Sequence, residues 1–199
     1  MIRRLINRLR SDRQGVTVIE FALLAPTLMI MLMGLLDLAY NMYTAQMLQG
    51  AIQTAARRST IEGASDRRDA IDGIVTTAVH TVSPAATLAF TRKAYANFGT
   101  VGRPEDFDDV DNDGTCDNGE AFEDVNGNGT WDTDPGSAGF GGARDSVLYT
   151  VSVTYPRAFP IFNFIPGQSS NFTMSTTTVL RNQPYDQQNT PAPATGNCT

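Results

Sequence analysis

The sequence predicts an α+β protein: a long amino-terminal helix, then a small domain in which a helix packs on antiparallel β-strands. Three observations carry this. An apolar run of 21 residues, Val16 to Leu36, follows a cluster of arginines. Residues 147–155 alternate apolar and polar with period two. Between the helical and strand-like segments lies an acidic insert that repeats itself after 15 residues. With 199 residues, 41% of them hydrophobic, the chain has room for one domain with its own core plus an attachment.

The apolar run VTVIEFALLAPTLMIMLMGLL contains one charge, Glu20. As a helix it is roughly 30 Å long, enough to cross the hydrocarbon core of a bilayer. Arg3, Arg4, Arg8, Arg10 and Arg13 precede it, and positive flanks stay cytoplasmic, so the chain is expected to be single-pass with its carboxy-terminal body exported. Gly34-Leu35-Leu36-Asp37 does not look like a secretory cleavage site, so the helix is expected to be kept. Pro26 predicts a mild kink that neighbouring helices can accommodate. Beyond Asp37 the pattern turns amphipathic, with Ala45, Leu48, Ala51, Ile52 and Ala55 on one face. One helix over residues 16–58 is roughly 64 Å long, a membrane span continued as a stalk.

Ser65 is placed as the N-cap of a second helix, with Asp66 and Asp69 in its first turn and Ile71, Ile74, Val75, Ala78 and Val79 as its apolar stripe. His80 reads as an ordinary boundary histidine. Residues 87–98 lean towards strand, with Leu88, Phe90, Ala94 and Tyr95 as core candidates. Val147, Tyr149, Val151, Val153 and Tyr155 form the apolar face of a strand that Pro156 ends. Residues 172–181 are a second strand antiparallel to it, and the Pro- and Asn-rich segment 186–199 is a flexible tail.

Residues 105–134 hold twelve acidic residues and no basic one. Residues 107–117 align with 122–132, and each copy follows a twelve-residue calcium loop with oxygen ligands at alternate positions and glycine at the sixth. In the first, Asp109, Asp111, Asp113, the Thr115 carbonyl, Asp117 and Glu120 are the ligands around Gly114. In the second they are Asp124, Asn126, Asn128, Thr130 and Asp132 around Gly129, but the twelfth position is Pro135; Asp134 is the nearest substitute. Three residues separate the loops, so no EF-hand helices flank them. Structural Ca²⁺ is therefore expected, at the ~10⁻⁴–10⁻³ M affinity of extracellular modules. Without an ion such a segment would repel itself and stay disordered. Cys116 lies at a non-ligand position of the first loop, and its pairing with Cys198 is open at this level.

The junction Gly15-Val16-Thr17-Val18-Ile19-Glu20-Phe21 resembles the prepilin-peptidase site of type IV pilins and pseudopilins. That resemblance implies cutting after Gly15, with Val16 as the new amino terminus and Glu20 as the fifth residue. A carboxylate inside an apolar helix is costly unless paired. The α-amino group of a staggered neighbour would neutralise Glu20; the plainer alternative is a glutamate snorkelling to the interface. Glu20-Phe21-Ala22, Pro26 and Asp37 together resemble the TadE-like family, minor pseudopilins of the tight-adherence (Flp) pilus system, and YPRAFPIFNFIPG…TMSTTTVLRNQPY loosely resembles their closing strands. The resemblance implies a pilin-like protein of the bacterial inner membrane, a dedicated prepilin peptidase, and other pilins and the pilus assembly machinery as partners.

The domain organisation expected is thus a leader over 1–15, a membrane and stalk helix over 16–58, an exported α+β domain over 59–185 with its acidic insert at 105–135, and the tail. The net charge of −6 hides a leader of +4 and a mature chain of −10, most of it in the insert. An acidic chain has no field to hold nucleic acid. One histidine, two cysteines and the lack of G-x-S-x-G, P-loop or H-E-x-x-H motifs argue against an enzyme. The competing reading is a signal-anchored, exported calcium-binding or adhesive protein that is neither cleaved nor polymerised.

Overall fold

The computed structural model describes residues 16–184 and 193–199. The proposed leader, including Gly15, and residues 185–192 of the tail lie outside the described residues. The described chain is α+β, as expected. Helix α1 spans Val16–Ser59 and runs through Pro26; α2 spans Arg68–Val82. Six strands follow: β1 Thr87–Tyr95, β2 Ala121–Asp124, β3 Ser137–Ala138, β4 Ser146–Pro156, β5 Asn171–Arg181 and β6 Ala194–Asn197. One sheet has the order β3-β1-β4-β5, and β2 pairs antiparallel with β6 in a second.

The chain forms two compact units. Of the described residues, one comprises those up to Tyr43 with Pro156–Phe172, and the other those from Thr44 to Tyr155 and from Thr173 onward. The division falls inside α1, at Tyr43.

In the first unit the side chains from Thr17 to Leu24 are all exposed, as are most up to Leu36. Asp37 is the first buried residue of the helix. Its carboxylate pairs with Arg157 and accepts a 3.0 Å bond from Asn41 Nδ2.

In the second unit Thr44, Leu48, Ala51, Ile52, Ala55, Ala56 and Ser59 form the buried face of α1, a spacing of three and four that keeps one stripe inward. Ile71, Val75 and Val79 of α2 and the inner face of β4 complete the core. Val147, Tyr149, Val151, Val153 and Tyr155 are each at most 3% exposed, so the alternation read from the sequence is the pleat of a strand with one buried face. Burying each such side chain contributes about 1.5–3 kcal/mol. β1 pairs antiparallel with β4, Phe90 opposite Val151. β5 lies on the other side of β4, where Ser152 meets Ser175 and Thr154 meets Thr173 in antiparallel register.

Three expectations need correction. Ser65 does not cap α2; it begins a 3₁₀ turn over Ser65–Arg67, and α2 starts at Arg68 without a side-chain cap. In β1, Ala94 and Tyr95 are buried, whereas Leu88 and Phe90 are only half-buried and the buried neighbour is Arg92. Its guanidinium pairs with Asp72 of α2 and lies between the rings of Phe140 and Tyr149, 4.5 and 4.2 Å from their centroids. Finally, the end of the tail is not loose. Residues 194–197 form β6, and Cys198 is buried and disulfide-bonded to Cys116, a closure of 82 residues. Composition missed this because a strand that pairs through its backbone needs no apolar side chains. Gly196 is required there: a Cβ at that position would lie 2.3 Å from the Phe122 ring.

Candidate functional site

The acidic insert folds into two loops of the same shape. In the first, Asp109 receives the N–H groups of Asp113 and Gly114 at 3.1 and 3.0 Å. Asp111 Oδ1 receives the N–H of Asp113, and Asp113 Oδ1 that of Thr115. In the second, Asp124 receives the N–H groups of Gly127, Asn128 and Gly129, Asn126 Oδ1 that of Asn128, and Asn128 Oδ1 that of Thr130. The backbone turns alike in both. Gly114 and Gly129, sixth in their loops, have φ of +77° and +78°, which only glycine adopts without strain. At the fourth position Asn112 and Gly127 are also left-handed.

These turns gather the side-chain oxygens. Carboxylate oxygens of Asp109, Asp111 and Glu120 lie within 4.8 Å of one another, and so do those of Asp111, Asp113 and Asp117. Desolvation, then the charges of Asp113, Asp111 and Glu120, raises the Asp117 carboxyl above its ordinary value. In the second loop Asn126 and Asn128 both turn their side-chain amides to Asp132 Oδ2, at 2.7 and 2.6 Å. All eleven residues predicted as ligands therefore sit in two matching turns, and hard oxygen donors of this kind suit calcium or magnesium.

Asp134 does not complete the second loop. Its carboxylate is held by Lys93 and by Tyr95 Oη at 2.8 Å, and the Lys93 bond keeps it below the usual carboxylate range. Burial and Asp134 push the Tyr95 phenol up to about 12.

A buried carboxylate from upstream does reach the second loop. Glu105, 2% exposed, accepts from Val125 N at 2.8 Å and Asp132 N at 3.0 Å, the second and ninth positions of the second loop. Glu120 accepts from Val110 N at 2.6 Å and Asp117 N at 3.4 Å, the same positions of the first. The likeness extends to the backbone, where Glu105 N donates to Asp132 O and Glu120 N to Asp117 O. An antiparallel bridge between Phe107 and Phe122 joins the copies, with Asp108 N donating to Ala121 O and Glu123 N to Asp106 O. Each glutamate thus stands across the bridge from the first aspartate of the loop it serves.

Reading each loop as a contiguous twelve-residue window hid Glu105. The signal was present: Glu105 and Glu120 are 15 residues apart, the period of the repeat itself. Around the loops, Trp131 packs edge-on against Phe107 and donates from Nε1 to Glu105 O at 2.8 Å, while the disulfide at Cys116 braces the corresponding position of the first copy.

The second predicted site is at the start of α1. Glu20 and Phe21 lie on the exposed surface of its apolar part, and Val16 is the first described residue of the helix. Residues 15–57 match the family model described as TadE, TadE-like protein. Over this segment the chain is similar to that family. The TadE-like match ends within α1, so the acidic loops and the closing strands lie outside it. No curated protein and no solved structure matches the chain. Among the described residues the match is thus confined to α1, which is long and apolar enough to cross a membrane.

Proposed function

We propose that the protein is a minor pseudopilin that takes part in assembly of a tight-adherence (Flp type IV) pilus, is cleaved after Gly15 by a prepilin peptidase, and carries an exported domain ordered by calcium. The observation that carries the reading is Glu20, an exposed carboxylate in an apolar helix within the TadE-like match. A carboxylate in that setting is stabilised by a cation brought to it. Cleavage after Gly15 supplies one, because it creates an α-amino group on Val16 that a neighbouring subunit can present. The arginines before the helix favour a cytoplasmic amino terminus, where a prepilin peptidase acts, and an exported carboxy-terminal domain.

Calcium fits the loops because their donors are all oxygens, alternate along the chain and include one buried glutamate per loop. The first loop offers five carboxylates: Asp109, Asp111, Asp113, Asp117 and Glu120. The second offers three, Asp124, Asp132 and Glu105, and is the weaker site. A role in structure, not catalysis, follows for both.

The assembly role is tested with Glu20→Ala in cells that lack the native copy. The expected result is membrane insertion as in the wild type with pili lost. Wild-type piliation by this variant would favour an anchored protein that does not polymerise.

A further inference from the structure

We propose that the loop joining β4 to β5 is a second membrane contact, with Phe164 and Ile165 seated in the interfacial layer of the leaflet from which α1 emerges. This rests on reading α1 as a membrane span. Counted from Val16, the apolar run ends at Leu36, so Asp37 marks the water boundary. Tyr40 and Tyr43 follow within two turns, where amphipathic aromatic residues favour the headgroup level.

The loop is tied to that level. Arg157, at the loop's start, forms a buried ion pair with Asp37, their side chains 10% and 3% exposed. The same guanidinium donates to Gln168 Oε1 at 3.1 Å and Ser169 O at 3.0 Å, and lies 5.1 Å from the centroid of Phe172. One cation thus gathers both ends of the loop at the helix residue that leaves the bilayer.

What the loop presents there is apolar. Outside α1, only four large hydrophobic side chains among the described residues are prominently exposed, and two of them are the neighbours Phe164, at 53%, and Ile165, at 38%. Water is a poor environment for such a pair, and the lipid-facing surface of α1 lies in the same compact unit. The backbone suits entry into the interface. The N–H groups of Phe164 and Ile165 both bond to Ile161 O at 3.0 Å, and Pro160 and Pro166 have no N–H to satisfy.

The test uses the full chain reconstituted in phosphatidylcholine–phosphatidylglycerol vesicles. An environment-sensitive fluorophore is attached at Phe164→Cys, or separately at Ile165→Cys, and quenched with lipids brominated near the headgroup or near the chain end. Both native cysteines are disulfide-bonded, so the added thiol takes the label. Leu28→Cys reports the bilayer interior, and Val110→Cys the aqueous surface. The expected result is a blue-shifted emission at 164 and 165, quenched more by shallow bromines than by deep ones, with the label at 110 unquenched. Labels at 164 and 165 as insensitive as the one at 110, while 28 is quenched, would overturn the proposal and leave the membrane span standing. Protection that rises with protein density but not with bromination would overturn it in favour of a second copy. An unquenched label at 28 would overturn the span and the proposal together.

Discussion

Glu105 and Glu120 occupy equivalent places in two different loops, each accepting the N–H groups of the second and ninth residues of its loop. They belong to one repeat, yet one lies before the loop it serves and the other at its end. The two loops are therefore a single exchanged unit, joined at the Phe107–Phe122 bridge.

Exchange makes a specific demand on mutants. Glu105→Gln should weaken calcium binding at the second loop, and Glu120→Gln at the first, on the order of 10–100-fold, the range that loss of a supporting group around a metal already reaches. Isothermal titration of the purified full chain in detergent, with Asp109→Ala and Asp113→Ala beside it, checks this. Wild-type binding in Glu105→Gln would return the second loop to an incomplete site, and heats unchanged by the aspartate variants would remove the ligand assignment.

Calcium removal should loosen the insert without unfolding the core, because Asp72, Tyr149 and the inner face of β4 take no part in the loops. For a Kd of about 10⁻⁴ M and 1 mM calcium, each occupied site adds about 1.4 kcal/mol. Limited proteolysis with and without a chelator should give new cuts between residues 105 and 135 only. Fragments held together by the Cys116–Cys198 disulfide should separate on reduction.

The Asp72–Arg92 pair is the polar hinge of the core. Asp72 pairs with Arg92 and accepts from Tyr149 Oη at 2.8 Å. Asp72→Ala leaves a guanidinium buried between two rings, and should cost about 3–5 kcal/mol, the usual penalty for an orphaned buried charge. Arg92→Met in the same chain should recover part of it. Urea denaturation of both variants measures the difference, and additivity of the two losses would contradict the coupling.

Alkali should act on the same cluster. Burial first, and then the Asp72 carboxylate, hold the Tyr149 phenol above its ordinary value. A group whose value is raised on folding contributes its full stability below the unfolded value and loses it as pH rises. Stability should therefore fall above pH of about 10, where an unfolded tyrosine ionises. Tyr149→Phe should flatten that limb of the unfolding curve relative to wild type.

How far the sequence could be read follows the range of the interaction involved. Helix α1 and strand β4 were legible because their signal is a period along the chain, seen in the exposed run from Thr17 and in the alternation from Val147 to Tyr155. The two matching turns were legible because the repeat and its glycines are local in the sequence. Arg92 was not, since its burial depends on Asp72, Phe140 and Tyr149, which are distant in sequence. Strand β6 was not, because Ala194–Asn197 pairs through backbone groups that any residue carries. Glu105 falls between these cases: its role is long-range, but the repeat that places it is written in the sequence.

The assembly reading stands or falls on the leader. Mass spectrometry of the protein isolated from membranes, with and without the cognate prepilin peptidase, tests it most directly. A mature chain beginning at Val16 is expected when the peptidase is present, and the full leader when it is absent. Peptides from Met1 to Arg13 still attached in the presence of active peptidase would contradict it.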